Sequence, residues 1–124
     1  MPKIYLSPST QDWNPYVDGS GSEEYWMNLL ADELEPYLYA NTIAFVRNSP
    51  EMTAASSIAQ ANQLGGFDFY LALHSNASGE GQAGKNRGII VFYYPTSSDG
   101  KRAAELFAAR LREVYPLPSK VTTQ

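Results

Sequence analysis

Apolar and polar positions along the chain follow two different periods, and each change of period marks an element. Lys3 to Ser7 is a short strand-like run that opens into polar Ser9, Thr10, Gln11, Asp12 and Asn14, with Pro15 and several glycine and serine residues beyond. That is the pattern of a strand followed by a loop. Ser20 stands three residues before Glu23, a capping-box spacing, and Trp26, Leu29, Leu30, Glu33, Leu34 and Leu38 then recur at helical intervals. The spacing predicts a helix from about Glu23, kinked or loosened near Asp32 to Glu35 because Pro36 cannot donate to the ladder.

Ile43 to Val46 is a brief β-branched and aromatic run, and Ser49-Pro50-Glu51 offers a cap with proline at the first helical position. A second helix, about Glu51 to Leu64, should end at Gly65-Gly66. Phe67 to His74 is nearly all apolar, as expected of a central strand covered on both faces of a parallel sheet. A polar, glycine-rich stretch from Ser75 to Lys85 leads into another strand-like run, Gly88 to Tyr94. A third helix, about Ser98 to Tyr115, shows Ala103, Leu106, Phe107, Leu111 and Val114 on one face. There are no internal repeats. The order strand, helix, strand, helix, strand, strand, helix predicts an α/β fold, a mostly parallel twisted sheet flanked by helices.

Composition narrows this picture in three ways. A chain of 124 residues with 44% hydrophobic content can bury one sizeable core, so residues 1–124 are expected to form a single domain. A net charge of −4, with nine Lys and Arg residues in no clustered run, argues against nucleic acid or an anionic membrane surface as partner. No cysteine is present, so any metal must be held by histidine and oxygen ligands. The start of the chain has no apolar stretch of signal-peptide length, and no later segment is long enough to span a bilayer. Lys120 to Gln124 follows Pro116 and Pro118 without the pattern of a closing strand or helix, so the fold is expected to lack its C-terminal strand and helix.

Ligands of open α/β sheets bind beyond the carboxyl ends of strands, which singles out three groups. Thr10 and Gln11 follow the first strand, His74, Ser75 and Asn76 end the third, and Glu23 and Glu24 open the first helix. Each has a structural explanation as well. A histidine at a strand end can hydrogen-bond to backbone, Glu23 can close the capping box, and Glu24 can favour the helix N-terminus through the macrodipole.

Taken together, these residues resemble the zinc-dependent N-acetylmuramoyl-L-alanine amidase family over nearly the whole chain. The most specific piece is Gly66-Phe67-Asp68-Phe69-Tyr70-Leu71-Ala72-Leu73-His74-Ser75-Asn76-Ala77, similar to that family's apolar strand ending in a ligand histidine, with asparagine two residues on and then alanine. Glu24 with Asn28 four residues on, the Val46-Arg47 pair, Ala61-Asn62 and Gly88 fit in order and spacing.

The resemblance implies a phosphorylase/hydrolase-like sandwich and zinc-dependent hydrolysis of the amide between N-acetylmuramic acid and the L-alanine of the peptidoglycan stem, at the bacterial cell wall. It implies Glu24 and His74 as zinc ligands, Asn28 and Asn62 as residues that shape the fold, and Asn76 or the polar loop from Ser78 to Asn86 as lining of the cleft. Two positions depart from the pattern. Thr10 stands where the family has its first ligand histidine, leaving Gln11 to reach the metal through its amide oxygen, or Asp12 to supply a carboxylate. The family's catalytic glutamate lies on a last strand, and no residue here matches it. A catalytically impaired peptidoglycan-binding module of the same fold, an N-terminal piece of a larger amidase, and a plain α/β structural domain are the alternatives.

Overall fold

The structure, a computed structural model, describes residues 1–13, 15–76, 81 and 85–124. It is α/β, with small parallel sheets and three helices, and it divides into two compact units, Met1–Asn76 and Ala77–Gln124.

The first unit is built on β1 (Lys3–Pro8), α1 (Glu23–Ala40), β2 (Ala44–Arg47), α2 (Ala54–Leu64) and β3 (Phe69–Leu73). The strands pair in the order β2-β1-β3, all parallel, with Leu6 opposite Arg47 on one side and Leu71 on the other. The middle strand is therefore β1 and not the apolar run ending at His74, which corrects the expectation from sequence. β1 is also the strand whose two faces are both covered. Side chains alternate across a strand, and here Ile4 and Leu6 face one side, Tyr5 and Ser7 the other, all at 5% exposure or less. By contrast Phe69 of β3 is 40% exposed. An apolar run reports low polarity, not the number of neighbouring strands.

Helix α1 packs Ala31, Leu34 and Leu38 against Ile4, Leu6, Leu71 and Leu73. A fully buried leucine contributes about 1.5–3 kcal/mol, so these contacts decide which helix face turns inward. The helix continues through Pro36 to Ala40. Its N-cap is Ser22, whose hydroxyl accepts from the Tyr25 amide, so the capping box expected from Ser20 and Glu23 does not form.

Helix α2 covers the opposite face, with Tyr5 donating to Gln60 Oε1 at 2.5 Å. It begins three residues later than the sequence suggested. Thr53 caps it through a reciprocal capping box with Ser56, while Ser49 and Glu51 bond to each other and Met52 donates its amide to Ser49 in a preceding turn. Gly65 and Gly66, both at positive φ, end it where the pattern indicated.

The second unit holds β4 (Ile89–Val91), α3 (Ser98–Val114), a short 3-10 turn (Pro118–Lys120) and β5 (Val121–Thr123). β4 and β5 are parallel, with Ile89 opposite Val121, and Arg112 Nε donates to the Val121 carbonyl at 3.0 Å. The last residues thus do form a strand, against expectation. Three residues with two threonines carry too little pattern to be read alone, and the pairing with β4 decides. α3 buries Ala104 and Ala108, whereas Leu106 and Val114 of the expected apolar face stay exposed. Among the described residues no helix is long and apolar enough to cross a membrane.

Candidate functional site

Parallel pairing brings the carboxyl ends of β1, β2 and β3 to one edge of the sheet. The order β2-β1-β3 adds a further condition. From β1 the chain crosses on one face to β2, then returns over the other face to β3, which places the ends of β1 and β3 side by side. Open α/β sheets hold ligands beyond such carboxyl ends. The loops that meet there are the one after β1, carrying Ser9 to Trp13, and the one after β3, carrying His74 to Asn76.

A cavity of about 200 Å³ lies at this edge, lined among others by Thr10, Gln11, Trp13, Asn48 and His74. Its floor is fixed by Asn48, which is 6% exposed and donates to Ser57 Oγ at 3.0 Å and to Ser7 Oγ and the Pro8 carbonyl, both at 3.2 Å. The loop after β1 is held in turn. Ser9 donates its amide to Leu73 at 2.9 Å, Gln11 donates its amide to Ser9 Oγ, and Tyr16 shares a 2.8 Å hydrogen bond with Ser75 Oγ.

His74 is the best-supported member of the site. Its side chain is 43% exposed, and its Nδ1 lies 3.0 Å from Oε1 of Glu23, whose side chain is 2% exposed. The same oxygen accepts the Ser75 amide at 3.0 Å. Glu23, read from the sequence as closing a capping box, therefore sits against the histidine, and Ser22 does the capping. This contact has a sequence signal only in retrospect: Glu23 occupies the first turn of a helix whose N-terminus abuts the strand ends.

Glu24 is half-buried and turned toward its own helix, with Oε1 3.4 Å from Asn28 Nδ2. Its amide donates to the Gln11 carbonyl at 3.4 Å, which keeps the two expected ligands adjacent in backbone. Asn28 is the centre of a network. Its Nδ2 donates to the carbonyls of Ser9 and Glu24, and its Oδ1 accepts from Arg47 Nη2 at 2.9 Å. Arg47 reaches Asp32 and Glu35 through Nη1 at 2.7 and 2.6 Å. Burial of the guanidinium opposes its charge, and the bonds and charges of Asp32 and Glu35 outweigh that, holding its pKa above the usual arginine range.

Asn76 is exposed two residues past His74, and Asn62 is exposed on α2. Of the loop from Ser78 to Asn86, residues 78–80 and 82–84 lie outside the described residues, as does Asn14. The structure thus gathers Gln11 and His74 at one cavity, joins Glu23 rather than Glu24 to the histidine, and keeps Glu24 beside Gln11 through the backbone. Imidazole nitrogen and carboxylate oxygen are the donors zinc takes, so His74 and Glu24 suit it. Gln11 adds an amide oxygen, a weaker partner. Among the described residues no group of three or more His, Cys, Asp or Glu side chains is arranged to hold a metal ion. No family model, curated protein or solved structure matches the chain.

Proposed function

We propose that the chain is an amidase-type hydrolase of peptidoglycan, cleaving the amide between N-acetylmuramic acid and L-alanine at the bacterial cell wall, on a phosphorylase/hydrolase-like sandwich. The observation that carries this reading is His74, the histidine of its most specific motif, lining one cavity with Gln11 beyond the carboxyl ends of β1 and β3. Zinc, the metal this chemistry uses, would be held by His74 and Glu24 with Gln11 as third donor, and would supply Lewis-acid polarisation of the scissile carbonyl. Asn76, exposed beyond His74, is available to contact the stem peptide.

A second reading is a peptidoglycan-binding module without competent zinc. Thr10 in the place of a histidine favours it, as does the lack, among the described residues, of a three-member His, Cys, Asp or Glu group. Metal analysis and digestion of purified peptidoglycan separate the two. The amidase should purify, without chelator, with about one zinc per chain, lose it in His74→Ala, and release stem peptides from glycan. A protein that sediments with peptidoglycan yet carries no zinc and releases no peptide is the binding module. Zinc retained in full by His74→Ala would remove the histidine from the site.

A further inference from the structure

We propose that Glu23 is a positioning residue for His74. It fixes the imidazole as the Nδ1–H tautomer and leaves the lone pair on Nε2. The inference deepens the amidase reading and rests on it only for what Nε2 then binds.

The argument starts from donors and acceptors. An ionised carboxylate only accepts hydrogen bonds, and Glu23 Oε1 has two neighbours at 3.0 Å, the Ser75 amide and His74 Nδ1. The amide donates by necessity. If Nδ1 carried its lone pair, two acceptors would face each other at that separation beside a carboxylate that is 2% exposed, where water cannot intervene to relieve them. With the proton on Nδ1, both neighbours donate to Oε1. Nε2, across the ring, then holds the lone pair on a side chain that lines the cavity. A carboxylate behind a histidine in this way fixes the tautomer and the ring orientation. Glu23 reaches His74 because α1 begins at Glu23, so its first side chain meets the residue just past the end of β3.

The chain has a single histidine, so selective ¹⁵N-histidine labelling yields one imidazole in the spectrum of the full-length protein. At a pH where the ring is neutral, the wild type should show a protonated Nδ1. Glu23→Ala should revert to protonated Nε2, the form free histidine prefers, and Glu23→Gln should keep protonated Nδ1, because its amide oxygen still accepts from both donors. Protonated Nε2 in the wild type overturns the proposal, and decides the matter even if Glu23→Ala does not fold. Titration with zinc chloride supplies the second readout. Glu23→Ala should weaken zinc binding by about 10–100-fold, and Glu23→Gln by much less. Loss of zinc from Glu23→Gln as complete as from His74→Ala would make Glu23 a ligand and sink the positioning role. A wild type with protonated Nδ1 and no zinc binding keeps this inference and removes the amidase reading instead.

Discussion

Replacing Asn48 with alanine tests whether the floor of the cavity is held by a single buried amide. Three acceptors share the two protons of Asn48 Nδ2: Ser57 Oγ, Ser7 Oγ and the Pro8 carbonyl. The serines have other partners. Ser57 donates to the Thr53 carbonyl at 2.8 Å and Ser7 accepts from Tyr70 at 2.7 Å, so the Pro8 carbonyl loses most. Two net hydrogen bonds at about 1 kcal/mol each, plus a stranded carbonyl at the low end of its range because the cavity is open to water, give a loss of about 2–4 kcal/mol. Asn48→Asp is the sharper variant. It keeps the size of the side chain but turns its donors into acceptors, leaving a buried carboxylate opposite the Pro8 carbonyl, and should cost at least ~1 kcal/mol more than alanine at neutral pH. Acidification should narrow that gap, since a protonated carboxyl can donate again. Both tryptophans, Trp13 and Trp26, lie in the first unit, so their fluorescence during urea unfolding follows that unit alone. An Asn48→Ala protein within about 0.5 kcal/mol of wild type, or an aspartate variant as stable as the alanine one at neutral pH, would refute the reasoning.

Arg47→Ala should destabilise the first unit by about 2 kcal/mol, because Glu35 and Asn28 Oδ1 lose a shared partner while the more exposed Asp32 loses little. Arg47→Lys should recover only part of this, having no fork to span Asn28 and the two acids; urea midpoints check both. Gly88→Ala should cost the second unit about 2–4 kcal/mol, since Gly88 has φ +136° and an added Cβ would lie 2.4 Å from the Lys120 carbonyl oxygen. Faster amide exchange at Val121 to Thr123 would report it. At alkaline pH, burial first and the neighbouring Tyr70 second hold the Tyr5 pKa above the ordinary tyrosine value. The folded state then keeps that proton more tightly than the unfolded chain, so the contribution is whole below pH ~10 and is lost as pH rises through the folded pKa. Tyr5→Phe should show a smaller fall in stability above pH ~10 than the wild type.

Local signals carried the elements well and their neighbours poorly. Periodicity and glycine placement located α1 and the end of α2, because each depends on residues within a turn or two. The start of α2 was misjudged because two cap-like segments, Ser49-Pro50 and Thr53 with Ser56, compete, and the reciprocal pair satisfies more amides. Which strand lies in the middle was not legible. Lys3 to Ser7 looks like a modest strand, yet Ile4 and Leu6 meet α1 while Tyr5 meets α2, and only the crossing connections bring both helices to it. The pairing of Val121 to Thr123 with β4 is likewise a long-range event.

The choice between Glu23 and Glu24 shows the same limit at the scale of the site. The family resemblance selects Glu24, through Asn28 four residues on, and Asn28 Nδ2 does meet the carbonyl and carboxylate of Glu24. Adjacent helical residues point about 100° apart, so the two glutamates cannot present to one partner alike. Which of them turns to His74 follows from how α1 rotates to bury Ala31, Leu34 and Leu38 against the sheet, a property of the core and not of the motif. Two roles are therefore open on consecutive residues: Glu23 behind the imidazole at 3.0 Å, and Glu24 beside the Gln11 backbone on the next helical direction. A carboxylate that orients the histidine and a second that shares its ligand with it need different sides of the ring. Charge-removing substitutions at each position should thus separate: on the proposed zinc site, Glu24→Gln should lower zinc affinity with the Nδ1–H tautomer intact, whereas Glu23→Ala should change the tautomer itself. Identical effects from both would mean that the helix rotation seen here does not govern the site.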